Sequence, residues 1–286
     1  MSTGAAAQEL DLEVGGGRLH AIRRGPASGE PVLCLPGLTA NARGFDLIGD
    51  RLAAEGLRPV ALDLRGRGRS ELTGPGTYGW PAHARDVLDA ADRLGAARFA
   101  LVGWSMGAFV AVQAAALAPG RITRAVLVDA CGQPPADAIP LIQRAVDRLG
   151  IVHLSVERYL DLLRGLGTIT PWHPLWDAYF RYELVETAGG VRARTSREAV
   201  LEDLAYGERH DPRALWPALT MPVLLLLALR PLIPGGPGIV AAEDRERFVR
   251  EVSGARVVAV DANHYGIATH PATADAIAAF LRGRSM

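Results

Sequence analysis

The stretch Leu101-Val102-Gly103-Trp104-Ser105-Met106-Gly107 decides the fold of this chain. An apolar run at 99–102 leads into its Gly-x-Ser-x-Gly pattern, and an alanine-rich segment with helical spacing follows at 108–118. This order predicts a strand, a sharp turn and a helix. Such a turn holds the serine in a strained conformation at the edge of a sheet, with the next backbone N–H at a helix N-terminus. The alternative is an ordinary turn with an incidental serine, which the two flanking elements disfavour.

Composition excludes several classes of function. The 286 residues are 49% hydrophobic and have a formal net charge of zero, which fits one large α/β domain with an insertion. The chain has no lysine, and its arginines are scattered among acids, so no basic face indicates nucleic-acid binding. The longest apolar run, 223–229, is too short to cross a bilayer, and residues 1–9 contain no apolar signal segment.

The two cysteines, Cys34 and Cys131, each lie in an apolar, strand-like run. Free buried thiols are the expected state, and they fit a reducing compartment. No metal-ligand spacing surrounds either residue. We therefore expect a cytoplasmic protein that does not bind a membrane.

Strand-like and helix-like segments alternate over most of the chain, which predicts a mostly parallel sheet with helices on both faces. A glycine-linked hairpin is predicted at 10–24, strands at 31–35, 58–62, 99–102, 125–128, 222–229 and 256–260, and helices at 45–55, 80–94, 108–118, 243–252 and 272–281. From residue 132 to about residue 217, strand-like runs vanish, and helical segments are predicted at 139–149, 156–166, 175–184 and 197–206. The predicted organisation is a core domain of residues 1–131 and 218–286 with a helical cap at 132–217.

With these motifs in order, the chain resembles the α/β-hydrolase superfamily from residue 10 to residue 281. The resemblance is carried by Leu35-Pro36-Gly37, the loop from Asp63 to Ser70, the turn around Ser105 and the late His264. It implies an α/β-hydrolase fold, a mostly parallel twisted sheet flanked by helices with a helical cap. It also implies that Ser105 is the nucleophile and His264 its general base, since a serine hydroxyl needs an adjacent base. The rival His270 is better explained as a helix-entry residue.

The resemblance places the oxyanion hole at the backbone N–H groups of Leu38 and Met106. Many relatives have His-Gly where this chain has Pro36-Gly37. Proline has no N–H, but the donor is the residue after the glycine, so the hole is expected to survive. What is expected to be lost is a side-chain hydrogen bond that braces the loop.

The sequence offers several candidates for the third member of the triad, the acid. Most relatives have the acid after the strand at 222–229, but the following loop, 230–238, has no carboxylate. Asp129 ends the strand beside the nucleophile strand, a position that a minority of relatives use, and it is our choice. Its alternative role is to cap a turn. Asp261 is a further candidate, whereas Glu243 and Asp244 are interpreted as helix N-terminal acids.

The aromatic stretch 171–182 of the cap suggests an apolar or aromatic substrate. We predict Trp172, Trp176 and Tyr179 as substrate-binding residues, although the same spacing also suits packing of a cap helix onto the core. The expected function is hydrolysis of a carboxylic ester or lactone with no cofactor or metal. Alternatives are a C–C bond hydrolase, a cofactor-free perhydrolase and a non-catalytic small-ligand receptor. A homodimer is left open.

Overall fold

An eight-stranded sheet forms the centre of the protein in the computed structural model, which describes residues 7–284. Its strands are β1 (Gln8–Val14), β2 (Gly17–Arg23), β3 (Pro31–Leu35), β4 (Arg58–Leu62), β5 (Phe99–Trp104), β6 (Ile122–Val128), β9 (Val223–Ala228) and β10 (Ala255–Val260). The remaining two strands, β7 (Leu184–Thr187) and β8 (Gly190–Ala193), form a separate sheet. The eight strands of the central sheet are arranged in the order β1-β2-β4-β3-β5-β6-β9-β10. The pairings β1–β2 and β2–β4 are antiparallel, and the others are parallel. The predicted α/β fold is thereby confirmed.

Both faces of this sheet are covered, which explains the apolar strands. Along β3, Leu33 and Leu35 belong to one core cluster, whereas Val32 and Cys34 belong to the cluster on the opposite face. All six residues of β5 are buried. Each fully buried Val or Leu side chain contributes roughly 1.5–3 kcal/mol relative to an exposed one. The central strands that end at the candidate site are therefore among the most firmly held parts of the chain.

Helices flank the sheet, and their bounds agree with the predicted ones within a few residues. They are α1 (Asp46–Ala54), α2 (Trp80–Arg93), α3 (Met106–Leu117), α8 (Ala242–Glu251) and α9 (Pro271–Leu281). Helix α3 follows the serine turn directly and has buried residues on all sides. A helix that is apolar all round is one that is enclosed by other elements, and α3 contacts α2, β5, β6 and β3.

The insertion between β6 and β9 contains four helices and one hairpin. The helices are α4 (Ile139–Asp147), α5 (Val156–Gly165), α6 (Leu175–Glu183) and α7 (Arg197–Arg209). The expectation that strands vanish here is wrong, because β7 (Leu184–Thr187) pairs antiparallel with β8 (Gly190–Ala193). These strands have only four residues each, too short for alternation to stand out in the sequence. Gly189 and Gly190 supply the positive φ values, 87° and 145°, that their tight turn needs.

Candidate active site

Ser105 occupies the turn between β5 and α3 with φ 56° and ψ −126°. A non-glycine residue in this region costs of order 1–3 kcal/mol, so the surrounding structure must enforce it. The two flanking glycines show how. A Cβ on Gly103 would lie 2.2 Å from the carbonyl oxygen of Gly107, and one on Gly107 would lie 2.0 Å from that of Leu35. Backbone approaches this close admit only glycine, which is the physical reason for the Gly-x-Ser-x-Gly pattern.

His264 and Asp129 form the second part of the site. Asp129 follows β6, and its Oδ2 lies 2.7 Å from Nδ1 of His264, which follows β10. The other carboxylate oxygen, Oδ1, accepts a hydrogen bond of 2.9 Å from the backbone N–H of Ala228. Asp129 is 2% exposed and has φ 52°, so its carboxylate is held rigidly. This arrangement fixes the imidazole through Nδ1 and leaves Nε2 for another partner.

The other sequence candidates lie elsewhere. Asp261 is exposed and forms a bidentate pair with Arg230, and Asp244 is buried beside Arg213 at 3.1 Å. His270 caps α9, where its Nδ1 accepts a hydrogen bond from the N–H of Ala272, in agreement with its predicted helix-entry role. Among the candidate acids, the structure therefore brings Asp129 to His264.

Trp104, the residue before Ser105, contacts the loop 261–265 that carries His264, which we call the histidine loop. Its Nε1 donates a 3.1 Å hydrogen bond to the carbonyl oxygen of His264, and the two rings lie 5.8 Å apart. Sequence reasoning missed this contact. The available signal was the position of Trp104 inside the Gly-x-Ser-x-Gly pattern, where a side chain necessarily lies close to the site.

Leu38 and Met106, the predicted oxyanion-hole residues, line the same cavity as Ser105 and His264. Within residues 7–284 neither backbone N–H donates a hydrogen bond to another protein group, so both are available to a ligand. Gly37 lets this loop approach Ser105, because a Cβ on Gly37 would lie 3.0 Å from Cβ of Ser105.

Pro36 has no side-chain donor, but the loop at Leu38 is braced by a side chain from another part of the chain. Arg67 supplies the brace from the Asp63–Ser70 loop, because its Nε donates a 3.0 Å hydrogen bond to the carbonyl oxygen of Leu38. The position of the Leu38 N–H is thus restrained by Pro36-Gly37 before it and by the hydrogen bond to the Leu38 carbonyl after it.

Arg67 is itself anchored in the cap. Its Nη2 donates to Oδ2 of Asp203 on α7, and both side chains are fully buried. Asp203 also lies within 3.0 Å of Nε2 of His83 and accepts a 2.6 Å hydrogen bond from the N–H of Gly79. Burial would raise the pKa of Asp203, but Arg67, His83 and this N–H together hold the pKa well below its usual range. Arg67 and Asp203 are 136 residues apart, so no local pattern could have paired them.

A cavity of about 260 Å³ joins these groups. Most of its lining is apolar, with side chains from the core, the cap and the loop after β9, among them Trp80, Phe109, Leu163, Ile169, Phe180 and Leu232. Its charged lining residues are two arginines and two carboxylates, Arg144, Arg148, Asp203 and Glu208. The lining therefore has no net charge and suits an apolar, uncharged molecule.

The predicted substrate contacts need correction at two of three positions. Trp176 is fully buried in a core cluster that Trp172 packs against. Trp172 stacks on Phe180 with ring centres 5.8 Å apart, and neither tryptophan lines the cavity. Tyr179 does line it, together with Phe180. The face of α6 that Trp176 occupies points into the cluster, so the aromatic stretch serves packing as well as the cavity wall.

Residues 7–284 contain neither a cluster of metal-ligating side chains nor a helix suited to span a membrane. No group of three or more His, Cys, Asp or Glu residues is arranged to hold a metal ion. None of the helices in this range has both the length and the apolarity that a membrane crossing requires.

Comparison with known proteins supports the same architecture. A family model of the alpha/beta hydrolase fold matches residues 30–163. A serine hydrolase-like protein of Dictyostelium discoideum is 30% identical over 229 residues, which are 74% of this chain and 60% of that protein. N-formylmaleamate deformylase of Pseudomonas putida is 37% identical over 119 residues, 42% of this chain and 44% of the deformylase. The chain thus spans about half the length of these curated relatives.

A solved structure extends the similarity to nearly the whole chain. The crystal structure of E-2-(acetamidomethylene)succinate hydrolase superposes with a TM-score of 0.83 at 25% identity, covering 97% of this chain and all of that one. The shared sheet, the serine turn between β5 and α3, and the family match lead to one conclusion. The chain has the α/β-hydrolase fold.

Proposed function

We propose that this protein is a serine hydrolase that cleaves a carboxylic ester or lactone through an acyl-enzyme on Ser105. The observation that carries the proposal is the meeting of three features in one cavity. These are the strained serine turn, the 2.7 Å pair of His264 and Asp129, and the unused N–H groups of Leu38 and Met106. Each supplies a component that acyl transfer requires: a nucleophile, an oriented base and an oxyanion site.

In the proposed reaction, Oγ of Ser105 attacks the carbonyl carbon while Nε2 of His264 takes the hydroxyl proton. Asp129 accepts the Nδ1–H hydrogen bond and stabilises the imidazolium that forms. The N–H groups of Leu38 and Met106 bind the developing oxyanion. Collapse of the tetrahedral intermediate breaks the bond to the alkoxide, which leaves with the proton from His264. Water then attacks the acyl-enzyme by the same steps and releases the acid.

The cavity supports an uncharged, largely apolar substrate. Its volume of about 260 Å³ accommodates a small molecule, and its charged lining residues cancel in sign. Desolvating a charged substrate in such a site would be costly without a counter-ion. A neutral ester or lactone has no such cost.

An amide is the second candidate for the scissile bond. Two proteins to which the chain is similar have names that specify nitrogen-acyl compounds, N-formylmaleamate and E-2-(acetamidomethylene)succinate. The proposed nucleophile and base serve amide hydrolysis equally, because His264 can protonate a leaving nitrogen. We rank the ester first because of the apolar cavity.

The test combines labelling with a substrate panel. Wild-type protein should react with a fluorophosphonate at one serine, identified by peptide mass spectrometry as Ser105, and should hydrolyse p-nitrophenyl esters. Ser105→Ala should abolish both while the circular dichroism spectrum stays unchanged. Ester hydrolysis at the wild-type rate by Ser105→Ala would overturn the assignment, and a wild type that neither labels nor turns over substrate would indicate a receptor. Product analysis with matched esters, lactones, amides and β-diketones then identifies the bond, including C–C cleavage.

A further inference from the structure

A buried polar cluster lies in the cap, on the wall of the cavity, and has no part in the mechanism above. Nη1 of Arg148 donates to Glu183 and to the hydroxyl of Tyr159, and its Nη2 lies 3.3 Å from Oε2 of Glu183. Tyr159 also donates a 3.0 Å hydrogen bond to Glu183. The Glu183 side chain is fully buried and that of Arg148 is 13% exposed. Both charges are therefore paired inside the protein.

Arg148 of this cluster and two tyrosines on the same cavity lining, Tyr179 and Tyr265, have hydrogen-bond donors that are unused. Arg148 carries five N–H bonds, and among residues 7–284 its Nε–H and one Nη2–H have no acceptor. The hydroxyls of Tyr179 and Tyr265 likewise make no hydrogen bond to another residue in that range, and neither is among its fully buried unpartnered polar atoms, so both are accessible from the cavity that these residues line. Burial raises the pKa of both tyrosines, so the hydroxyls stay protonated at neutral pH. All three residues line the cavity that Ser105 and His264 share.

The charges of the cluster restrict what can bind there. Glu183 neutralises Arg148, so the pair presents N–H and O–H donors without net positive charge. A carboxylate placed against Arg148 would lie near Glu183, and two buried carboxylates sharing one cation are unfavourable. An uncharged oxygen such as that of a ketone, amide or ether accepts the same hydrogen bonds without this repulsion.

We propose that Arg148, Tyr179 and Tyr265 form a donor subsite that binds an uncharged oxygen acceptor of the substrate, separate from the carbonyl that Ser105 attacks. This inference rests on the proposed hydrolase function and specifies its substrate class. The substrate is a neutral ester with a second oxygen acceptor on an otherwise apolar acyl chain. A bound substrate without this oxygen would displace water from these donors and leave them unpaired, which makes the recognition selective.

Three p-nitrophenyl esters with acyl chains of similar length test the subsite. They are the hexanoate, the 5-oxohexanoate and the glutarate monoester, which end in an alkyl, a ketone and a carboxylate group. With wild-type protein we expect kcat/KM for the 5-oxohexanoate to exceed that for the hexanoate by about tenfold, the effect of one or two hydrogen bonds. The glutarate ester should not exceed the hexanoate.

The matched variants remove one hydroxyl each. Tyr179→Phe and Tyr265→Phe should reduce the ratio of the ketone ester to the hexanoate towards one. Tyr206→Phe is the control, because Tyr206 packs on Trp80 outside the cavity lining, and it should retain the wild-type ratio. The ratio of kcat/KM for the two esters does not depend on the concentration of folded enzyme, so it separates loss of recognition from loss of folded protein.

The outcomes distinguish this inference from the function on which it rests. Hydrolysis of the hexanoate with a ratio near one in wild type, or an unchanged ratio in both tyrosine variants, overturns the subsite and leaves the hydrolase intact. Preference for the glutarate ester overturns the inference that the oxygen bound at the subsite is uncharged. If none of the three esters is hydrolysed, the hydrolase proposal and the subsite fail together.

Discussion

Nε of Arg67 donates a hydrogen bond of 3.0 Å to the carbonyl oxygen of Leu38, so a buried cation fixes the loop that carries a candidate oxyanion donor. The guanidinium of Arg67 also donates to the carbonyl oxygen of Arg65 and to Asp203. A lysine cannot donate in these three directions at once, so we expect Arg67→Lys to lower kcat by about 10- to 100-fold with little change in KM. Steady-state kinetics on a good ester substrate measure the effect.

Arg65→Lys is the matched control for that experiment. Arg65 is also buried and forms a bidentate pair with Asp86, but its side chain makes no hydrogen bond to Leu38. Both variants should lose stability in guanidinium denaturation, by roughly 1–3 kcal/mol, because lysine keeps the charge but leaves a buried acceptor without its donor. If kcat falls equally in both, the contact between Arg67 and Leu38 has no specific role in catalysis.

Asp129→Asn should reduce kcat on the order of 10²–10⁴-fold, because the amide keeps the shape of the side chain but can stabilise the wrong imidazole tautomer. The oxyanion donors remain, which limits the loss. Asp244→Asn and Asp261→Asn should each cost less than about tenfold, since these carboxylates pair with Arg213 and Arg230 instead. A large loss in Asp261→Asn with a small one in Asp129→Asn would contradict the proposed triad.

Substitution of Trp176 should lower the stability of the fold rather than change the choice of substrate. Trp176→Ala removes a fully buried ring that packs against Trp104, Tyr179 and Phe180, and it should cost about 3–5 kcal/mol in unfolding free energy. Trp176→Phe should cost much less, because it keeps an aromatic ring and removes an indole N–H that has no partner within residues 7–284. A selective rise in KM for bulky esters, with unchanged stability, would return Trp176 to the substrate-binding residues.

The two thiols should be inert in the folded protein. Cys34 and Cys131 are free and buried, and burial raises the pKa of each thiol to about 12. At pH 8 only about 10⁻⁴ of such a thiol is ionised, and the thiolate is the reactive form. Ellman's reagent should therefore modify neither residue until guanidinium unfolds the chain, when both should react. Rapid modification of folded protein at pH 8 would contradict the burial of the thiol concerned.

The sequence was sufficient for the fold because its signals were local. Buried parallel strands read as continuous apolar runs, and the glycines at 103 and 107 are required by contacts with neighbouring backbone. The pairing of Asp129 with His264 was one of several options in the sequence, since only the sheet order shows that β6 ends beside the histidine loop.

The remaining features depend on side chains that meet across long stretches of chain. Arg67 contacts Asp203 on the cap and Leu38 on another loop. Neither contact corresponds to a periodic pattern in the sequence. The aromatic stretch of α6 was ambiguous for a related reason. Helical spacing shows that Trp176 and Tyr179 lie on nearby faces, but only tertiary packing decides which of them borders the cavity.

With Asp129 as the proposed triad acid at the end of β6, the orientation of His264 and the shaping of the cavity wall depend on two different segments of the chain. The segment after β9 contributes Leu232 and Ile233 to the cavity wall but no carboxylate to the pair with His264. Ala228 and Arg230 must be kept, because they bond Asp129 and the loop that carries His264. Residues 233–238 make no hydrogen bond to Asp129 or to residues 261–266, so this part of the loop can be varied without displacing either. For laboratory evolution, this loop is a position where a library can reshape acyl-chain selectivity while the proton-transfer geometry is left as it is.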